Sequence, residues 1–492
     1  MTVGKVEYWN EDLETCPVDA LVERYDRLLS ESKVFQRARR SALYKGRWKR
    51  AGIRVEELKS LEDLRKLPYI DSSALRESFE RFDISEIVCS EEIVEWHCTS
   101  GSRGAPKWIP YTARDIRNVA EIVLRTGVAT KSVRPGYIIL DLGAPDPFAS
   151  GAFLRWSVEL ASHHGISVEV IPATLAFAEM GLRFAYKRQP HVITGIPGVA
   201  ARIAEIMEEG LDERVLKQLR DSMGVLSVAV SIVSRVKKIK PKDIFRRLRI
   251  GGFTGDRLEP YRRMIESAYG VEAFDEYGMT EFGVLASECY KHCGLHLWSD
   301  FVIPEIIPLS ELERGGSTPE ALLIDQWYEG LVGELVVTSF SEALPLIRYR
   351  TGDLVIVRGM STCKCGRTHP RISVLRRLDD VVNLGGIRLS VDQIEKALSE
   401  VRSGKVRKWE IHLSRTGYKA RARLLVEVAG ASSAEGLERE ILERLYELCP
   451  RVKTWIEAGM ACPIEIDLVD DLVEKRTPTG KVKRVFYDDS PY

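Results

Sequence analysis

The stretch TSGSRGAPK, residues 99–107, places two glycines three apart, hydroxyls at Thr99, Ser100 and Ser102, and cations at Arg103 and Lys107. Glycines permit a tight turn whose backbone N–H groups converge, and a nest of that kind suits the oxygens of a polyphosphate. It is not the common nucleotide P-loop, which needs four residues between a glycine and a Gly-Lys pair. Here Gly101 and Gly104 are too close, and Lys107 follows Pro106. Taken alone, the same residues also describe an ordinary surface turn. A second chemistry-bearing group is made of thiols. Cys363 and Cys365 form a C-x-C, and Cys289 precedes His296 in CYKHCGLH. Two thiolates from one turn, with a Cys and a His from another, make a tetrahedral structural zinc set, in which Cys293 or His292 can replace one member. The alternative for these cysteines is a group of reduced, partly buried thiols.

The elements that must carry these groups follow from periodicity. Residues 11–90 read mainly as amphipathic helix with Ser-led starts, and EEIVEWHC is a short strand leading into the glycine loop. Strands and helices then alternate: YIILDLG, ISVEVIP and HVITGIP each precede a helix, and RLRIGGF and VEAFDEYG follow. That rhythm predicts an α/β domain with parallel strands. From about residue 330, GELVVTSF and LVIVRG read as antiparallel strands. Downstream of Arg377 comes a small α+β set: the helix VDQIEKALSEV, strands WEIHLSR and RARLLVEVAG, the helix AEGLEREILERLYEL and the strand PIEIDLV, ending in the polar tail KRTPTGKVKR. The chain therefore divides into a large domain, 1–378, and a small one, 379–492.

Bulk composition excludes several classes. Of 492 residues, 45 % are hydrophobic and 29 % charged, which suits a protein with sizeable cores, and the formal net charge of zero supplies no field toward nucleic acid or acidic lipid. The basic run RVKKIKPKDIFRRLR lacks interleaved stacking aromatics and reads as a solvated face. Nine cysteines are too sparse for a disulfide scaffold. No signal-like start and no long apolar run occur, so no membrane partner and a cytoplasmic setting are expected.

Five stretches in order, TSGSRGAPK, DEYGMTE (275–281), IRYRTGDL (347–354), RRLDDVVNLGGIRLSVDQIE (376–395) and PTGKVKR (478–484), resemble the adenylate-forming enzymes: acyl-CoA ligases, adenylation domains and luciferases. The match is closest to phenylacetate-CoA ligases, through YWNEDLETCP, SLEDLRKLPYI, ECYKHCGLHLW, ALPLIRYRTGD and CKCGRTHPRI, and it covers almost the whole chain. The resemblance implies a large α/β adenylating domain with parallel-strand subdomains and a small antiparallel subdomain, followed by a mobile α+β lid. It implies that a carboxylate attacks the α-phosphorus of ATP, and that coenzyme A then displaces AMP from the acyl-adenylate. Thr99, Ser100, Gly101, Ser102, Arg103, Gly104 and Lys107 would hold the β- and γ-phosphates. Thr280 would contact the α-phosphate and Glu281 would ligate Mg²⁺. Tyr277 would lie against adenine, with Gly252, Phe253, Glu276, Gly278 and Met279 also on the nucleotide. Asp353 would accept from both ribose hydroxyls, and Arg377 would reach the ribose or phosphate. Lys481 matches the lysine that bridges carboxylate and α-phosphate, Asp379 the hinge, and Gly386 the glycine beside which pantetheine passes.

An acyl pocket is expected along GAPDPFASGAFLRW, where Phe148, Phe153 and Trp156 form an aromatic wall suited to an aryl or arylacetic acid. The sequence departs from close relatives at Phe253, where they carry an acidic residue, and at Arg103, where they carry a small hydroxyl residue. Zinc sites like the one proposed occur among relatives of the phenylacetate-CoA ligases. Two readings stand beside the coenzyme A ligase. One is adenylation without coenzyme A, with transfer to an amine or carrier protein or adenylylation of a deazaflavin-type cofactor. The other is a silent, zinc-stabilised binding protein. A monomer or homodimer is expected in either case.

Overall fold

The computed structural model describes residues 8–99, 107–173, 178–209, 240–314, 319–378, 381–401, 406–428, 436–473 and 484–487. Of the expected site residues, Ser100, Gly101, Ser102, Arg103, Gly104, Asp379 and Lys481 lie outside these residues.

The N-terminal stretch forms helices as its amphipathic pattern predicts, but in pieces: Val18–Glu31, Val34–Ala38 and Ala42–Arg50, the first break falling at Lys33 with φ 53°. Leu21, Tyr25, Leu29, Phe35 and Trp48 turn inward and join the core of the antiparallel strands beyond residue 282. The strand Trp108–Thr112 ends at a capping box. Thr112 accepts from the Asp115 N–H, and the Asp115 carboxylate accepts from Thr112 N, which opens the helix Ala113–Ala129. The same carboxylate accepts from the N–H groups of Glu342 and Ala343 at 2.9 and 3.0 Å, tying this helix start to a distant loop.

Strands Val168–Pro172, Tyr137–Leu142, Val192–Gly195, Ile250–Phe253 and Glu272–Met279 lie side by side and parallel, as the α/β rhythm predicts. The expected separation into parallel and antiparallel subdomains is corrected here, because all of these strands belong to one 13-stranded mixed sheet. The strand Glu272–Met279 pairs parallel with Ile250–Phe253 on one edge and antiparallel with Gly283–Ser287 on the other. Gly278 makes the tight antiparallel reversal possible, since a Cβ there would lie 2.4 Å from the Gly283 carbonyl oxygen. The sheet continues through Leu295–Leu297, Arg371–Arg377, Tyr349–Gly359, Val332–Thr338 and Ile303–Pro308.

Beyond residue 380 a hairpin, Val381–Leu384 with Ile387–Ser390, precedes the expected helix Val391–Ser399 and a four-stranded sheet. That sheet includes Val485–Tyr487, a strand hidden from sequence reading by its polar flank, and a further helix, Pro450–Glu457, packs beside the hairpin. The small unit rests on the parallel half. Val382, Leu384, Trp455 and Met460 share a core with Ile193, Val199 and Tyr261, and the Arg202 Nε donates to the Ala458 carbonyl at 2.7 Å.

Arg348, inside IRYRTGDL, has a structural task. Its Nε and Nη2 donate to the two oxygens of Glu305 at 3.1 and 2.8 Å, and Nη1 donates to the carbonyls of Arg65 and Leu67. Both side chains are buried. Removing one partner of such a pair strands a charge, so Glu305→Ala is expected to lower unfolding free energy by about 3–5 kcal/mol, read by urea denaturation.

Candidate functional site

The parallel strands end where their carboxyl ends face the loops, and there a cavity of about 660 Å³ opens, closed on its far side by the small unit. Thr99, Lys107, Phe148, Phe153, Gly252, Glu276, Tyr277, Gly278, Met279, Thr280, Glu281, Asp353, Arg377 and Gly386 all line it. Residues spread over nearly three hundred positions are thus brought to one space. Two expectations are corrected. Phe253 is fully buried in the core and does not line the cavity. Its ring folds back over its own strand, within 2.6 Å of a Cβ position at Gly251. Trp156 also turns away. Its ring packs on Tyr111 and Phe153, and its indole N–H donates to Glu95 at 3.2 Å. The aromatic wall therefore consists of Phe148 and Phe153.

Thr99 and Lys107 pair with each other, Thr99 N–H donating to the Lys107 carbonyl at 2.9 Å and Lys107 N–H donating to Thr99 Oγ1 at 3.1 Å. The Lys107 ammonium lies 2.6 Å from Glu281 Oε1 and donates to Ser72 Oγ at 2.8 Å. Tyr349 OH donates to the same Glu281 oxygen at 3.2 Å. Burial alone would raise the Glu281 carboxyl, but the neighbouring Lys107 charge and hydrogen bond hold it below the ordinary carboxylate range. An ionised carboxylate at a cavity wall is the donor a hard divalent cation takes, so Glu281 fits the expected Mg²⁺ role. Thr280 sits in the turn between the two strands, its carbonyl accepting from Tyr111 OH.

At the other end, Asp353 is buried and oriented by two donors. Tyr277 OH gives to Oδ2 at 2.7 Å and Arg377 Nη1 gives to Oδ1 at 3.0 Å, while Arg377 Nη2 donates to the Thr351 carbonyl at 2.9 Å. Asp353 and Arg377 are register partners on adjacent strands, which explains why the Arg-Leu pair reaches this point. Ser72, Tyr349, Asp256 and Asn383 were missed as site residues. Asn383 lies inside RRLDDVVNLGGIRLSVDQIE and Asp256 three residues beyond RLRIGGF, whereas nothing in the sequence around Ser72 signals a site.

From the small unit, Gly386 lines the cavity with φ 103°, and a Cβ there would stand 3.1 Å from the Ile196 side chain. Asn383 Nδ2 donates to Asp256 Oδ1 at 3.1 Å, and Asp256 Oδ2 accepts from Tyr261 OH at 2.9 Å. Arg415 Nη1 reaches the same phenol oxygen at 3.3 Å.

The thiols also converge. Ligand atoms of Cys289, Cys293, His296 and Cys363 lie within 4.8 Å of one another. Cys289 Sγ is 3.9 Å and Cys293 Sγ 3.1 Å from Cys363 Sγ, and Cys365 Sγ is 3.6 Å from His296 Nε2. Thiolates on a tetrahedral zinc stand about 3.8 Å apart, so the donor set and spacing fit such an ion. Five groups meet where four were expected, Cys293 joining Cys289, His296, Cys363 and Cys365. His292 is not among them, because its ring stacks on Phe274 and its Nε2 pairs with Glu272 at 2.9 Å.

A mixed sheet whose parallel ends carry Tyr277, Thr280 and Glu281 is thus met by Asp353 and Arg377 and covered by a small α+β unit. Over nearly its whole length this chain is similar to enzymes of the adenylate-forming CoA-ligase superfamily. Among its relatives are phenylacetate-coenzyme A ligases. That of Thermus thermophilus is 27 % identical over 494 residues, spanning 97 % of this chain and 98 % of the relative. That of Pseudomonas putida is 29 % identical over 460 residues, spanning 91 % and 90 %. A 2-hydroxyisobutyryl-CoA ligase solved with 2-HIB-AMP and CoA in the thioesterification state has the same fold, with TM-score 0.71 at 21 % identity over 98 % of this chain and 92 % of that one. The same ligase in a postadenylation state gives 0.60. No protein-family model matches the chain. Among the described residues, no helix is long and apolar enough to cross a membrane.

One group in the cavity makes a pH prediction. Burial, with the charge of Asp275 adding to it, raises the Glu276 carboxyl from 4.5 to about 8. The folded protein then keeps a proton that the unfolded chain releases above about pH 4.5, so stability falls as pH rises from there toward 8. Glu276→Gln is expected to remove that loss, its melting temperature gaining on wild type between pH 5 and 8.5.

Proposed function

We propose that this protein is an AMP-forming ligase that adenylates an organic acid with ATP and passes the acyl group to coenzyme A. The observation that carries the reading is the meeting, in one cavity, of Asp353, Tyr277 and Arg377 with Thr280, Glu281 and Lys107, and with Gly386 from the small unit. Asp353 is held with both oxygens turned by donors, an arrangement that suits a pair of ribose hydroxyls. Lys107 supplies charge for the outer phosphates, and Thr280 sits where the α-phosphate would lie. Mg²⁺ held by Glu281 would neutralise charge on the phosphate oxygens. An acid oxygen attacks the α-phosphorus, the bond to the β-phosphate oxygen breaks, and pyrophosphate leaves. The coenzyme A sulfur then attacks the acyl carbon and AMP departs. Phe148 and Phe153 favour an acid with an aromatic portion.

The arrangement of the two units supports the thioester step. Gly386 faces the cavity, and the resemblance in shape is greater to the thioesterification state of the solved ligase than to its postadenylation state. Lys481, on the C-terminal tail, would serve the first step after rotation about Asp379, the two half-reactions sharing one cavity in turn. The domain cut at 378–379 belongs to this reading.

The test measures the half-reactions separately. Pyrophosphate release on adding ATP and acid, followed by AMP release that depends on coenzyme A, is expected. Lys481→Ala is expected to abolish the first and spare thioester formation from supplied acyl-adenylate, while Gly386→Leu does the reverse; equal damage to both steps in either variant would overturn the two-state account. AMP release indifferent to thiol but dependent on an added amine would favour the adenylation-without-coenzyme A reading.

Structural zinc is part of the proposal, held by four of Cys289, Cys293, His296, Cys363 and Cys365 with no open position for chemistry. Elemental analysis is expected to find about one zinc per chain, and Cys363→Ser to lose it together with thermal stability. A metal content below about half an equivalent would remove the ion.

A further inference from the structure

Besides the residues of the proposed nucleotide site, the cavity is lined by Val123, Val133, Ile139, Leu154, Val158 and Val192. Such a floor suits the hydrocarbon part of an acid, yet two carboxyl groups look into it. Asp141 and Thr194 are register partners on neighbouring parallel strands, and so are Thr194 and Gly252, which places all three on one face of the sheet. Gly252 pairs in turn with Phe274, and strand alternation brings Glu276, two residues on, to that same face. Gly252 leaves the gap that Glu276 leans into: a Cβ there would lie 2.9 Å from Glu276 Oε1 and 3.9 Å from Thr194 Oγ1.

Neither acid is accounted for by its surroundings. Asp141 is 4 % exposed, and only its Oδ1 has a hydrogen-bond donor, the Gly143 N–H at 2.8 Å. Glu276 makes no hydrogen bond or ion pair with any described residue. Of the cations that line the cavity, Lys107 pairs with Glu281, Arg377 with Asp353 and Arg421 with Glu465, while Arg257 donates to the Leu375 carbonyl and Arg415 to the Tyr418 carbonyl. Arg155, whose charge partly opposes the effect of burial on Asp141, turns its Nη2 to Asp146 at 3.1 Å near the surface. Burial holds both carboxyls above the ordinary range. A buried acid without a donor is costly to keep, and a donor that arrives with a ligand removes the cost.

We propose that Asp141 and Glu276, with Thr194 between them, select an acid that carries a hydrogen-bond-donating substituent, an amine or a hydroxyl, on an otherwise apolar body. A plain hydrocarbon acid leaves both carboxyls unpaired beneath it and is disfavoured. A donor-bearing acid satisfies them, and an ammonium also returns them to the charged state. This inference rests on the ligase reading and names the substrate class of that site.

The experiment follows acid-dependent pyrophosphate release for matched sets built on phenylacetate and on pentanoate. Each set holds the parent acid, its hydroxylated forms and its amino forms, substituted at the α and at the distal carbon. Wild type is expected to favour at least one donor-bearing form over its parent by about ten-fold or more in kcat/KM, and the hydroxyl and amine arms show which donor is read. Asp141→Asn is expected to shrink that preference about ten-fold through KM of the substituted acid, leaving the KM for ATP and the turnover of the parent unmoved, and Glu276→Gln is expected to shrink the same preference. Parent acids used as well as substituted ones, or equal losses on every acid in both variants, would overturn the inference while leaving the ligase standing. A protein that binds ATP, seen by thermal shift, but releases pyrophosphate with no acid would overturn the ligase reading and this inference together.

Discussion

One strand has to satisfy two neighbours of opposite direction. Glu272–Met279 closes the parallel set through Ile250–Phe253 and opens the antiparallel set through Gly283–Ser287. A sheet that changes sense across a single strand must turn the chain sharply at its end, and that turn is Thr280–Phe282. The reversal brings the backbone close enough at Gly278 to exclude a side chain. Thr280 and Glu281 are therefore held at the end of a strand paired on both edges, and the cavity opens at the carboxyl ends of the parallel strands. Lys107, Asp353 and Arg377 are positioned against that turn by strands on either side of it.

Electrostatics within the cavity divides along its length. Along one part of the cavity wall, Glu281 pairs with Lys107 and Asp353 with Arg377. The Lys107 charge keeps the Glu281 carboxylate ionised in a place where burial opposes charge. At the inner end, Asp141 and Glu276 have no such companion, and their carboxyls titrate high. The contrast separates groups that are ready before any ligand arrives from groups whose partner is still to come.

Much of this was legible from residues alone. Alternating strand and helix patterns located the five parallel strands, and the motif order brought Tyr277, Thr280, Glu281, Asp353 and Gly386 to a single cavity. What escaped the sequence was whatever depended on side-chain direction. Phe253 and Trp156 belong to quoted stretches, yet strand alternation and helix phase turn both rings into packed cores. Arg348 reads as part of a functional motif, but its geometry gives it to Glu305 and to the carbonyls of the N-terminal helices. Asp141 sits within an apolar strand, and only register with Thr194 reveals that it faces the cavity. Cys293 was one of two possible substitutes, and folding chose it over His292 because Phe274 and Glu272 hold that imidazole elsewhere.

The thiol cluster also bears on how the chain acquires its shape. Cys289 and Cys363 are separated by 74 residues, and the antiparallel strands of the large sheet lie between them. An ion bridging the two segments would restrict the unstructured chain by closing that loop, an entropic effect of about 4 kcal/mol if it acts as a covalent link does. Donors at both ends would be needed to grip such an ion, so during synthesis the knot could not tighten until Cys363 has left the ribosome. Most of the large sheet would by then be available to pair, and the cation would lock a topology already chosen by its strands.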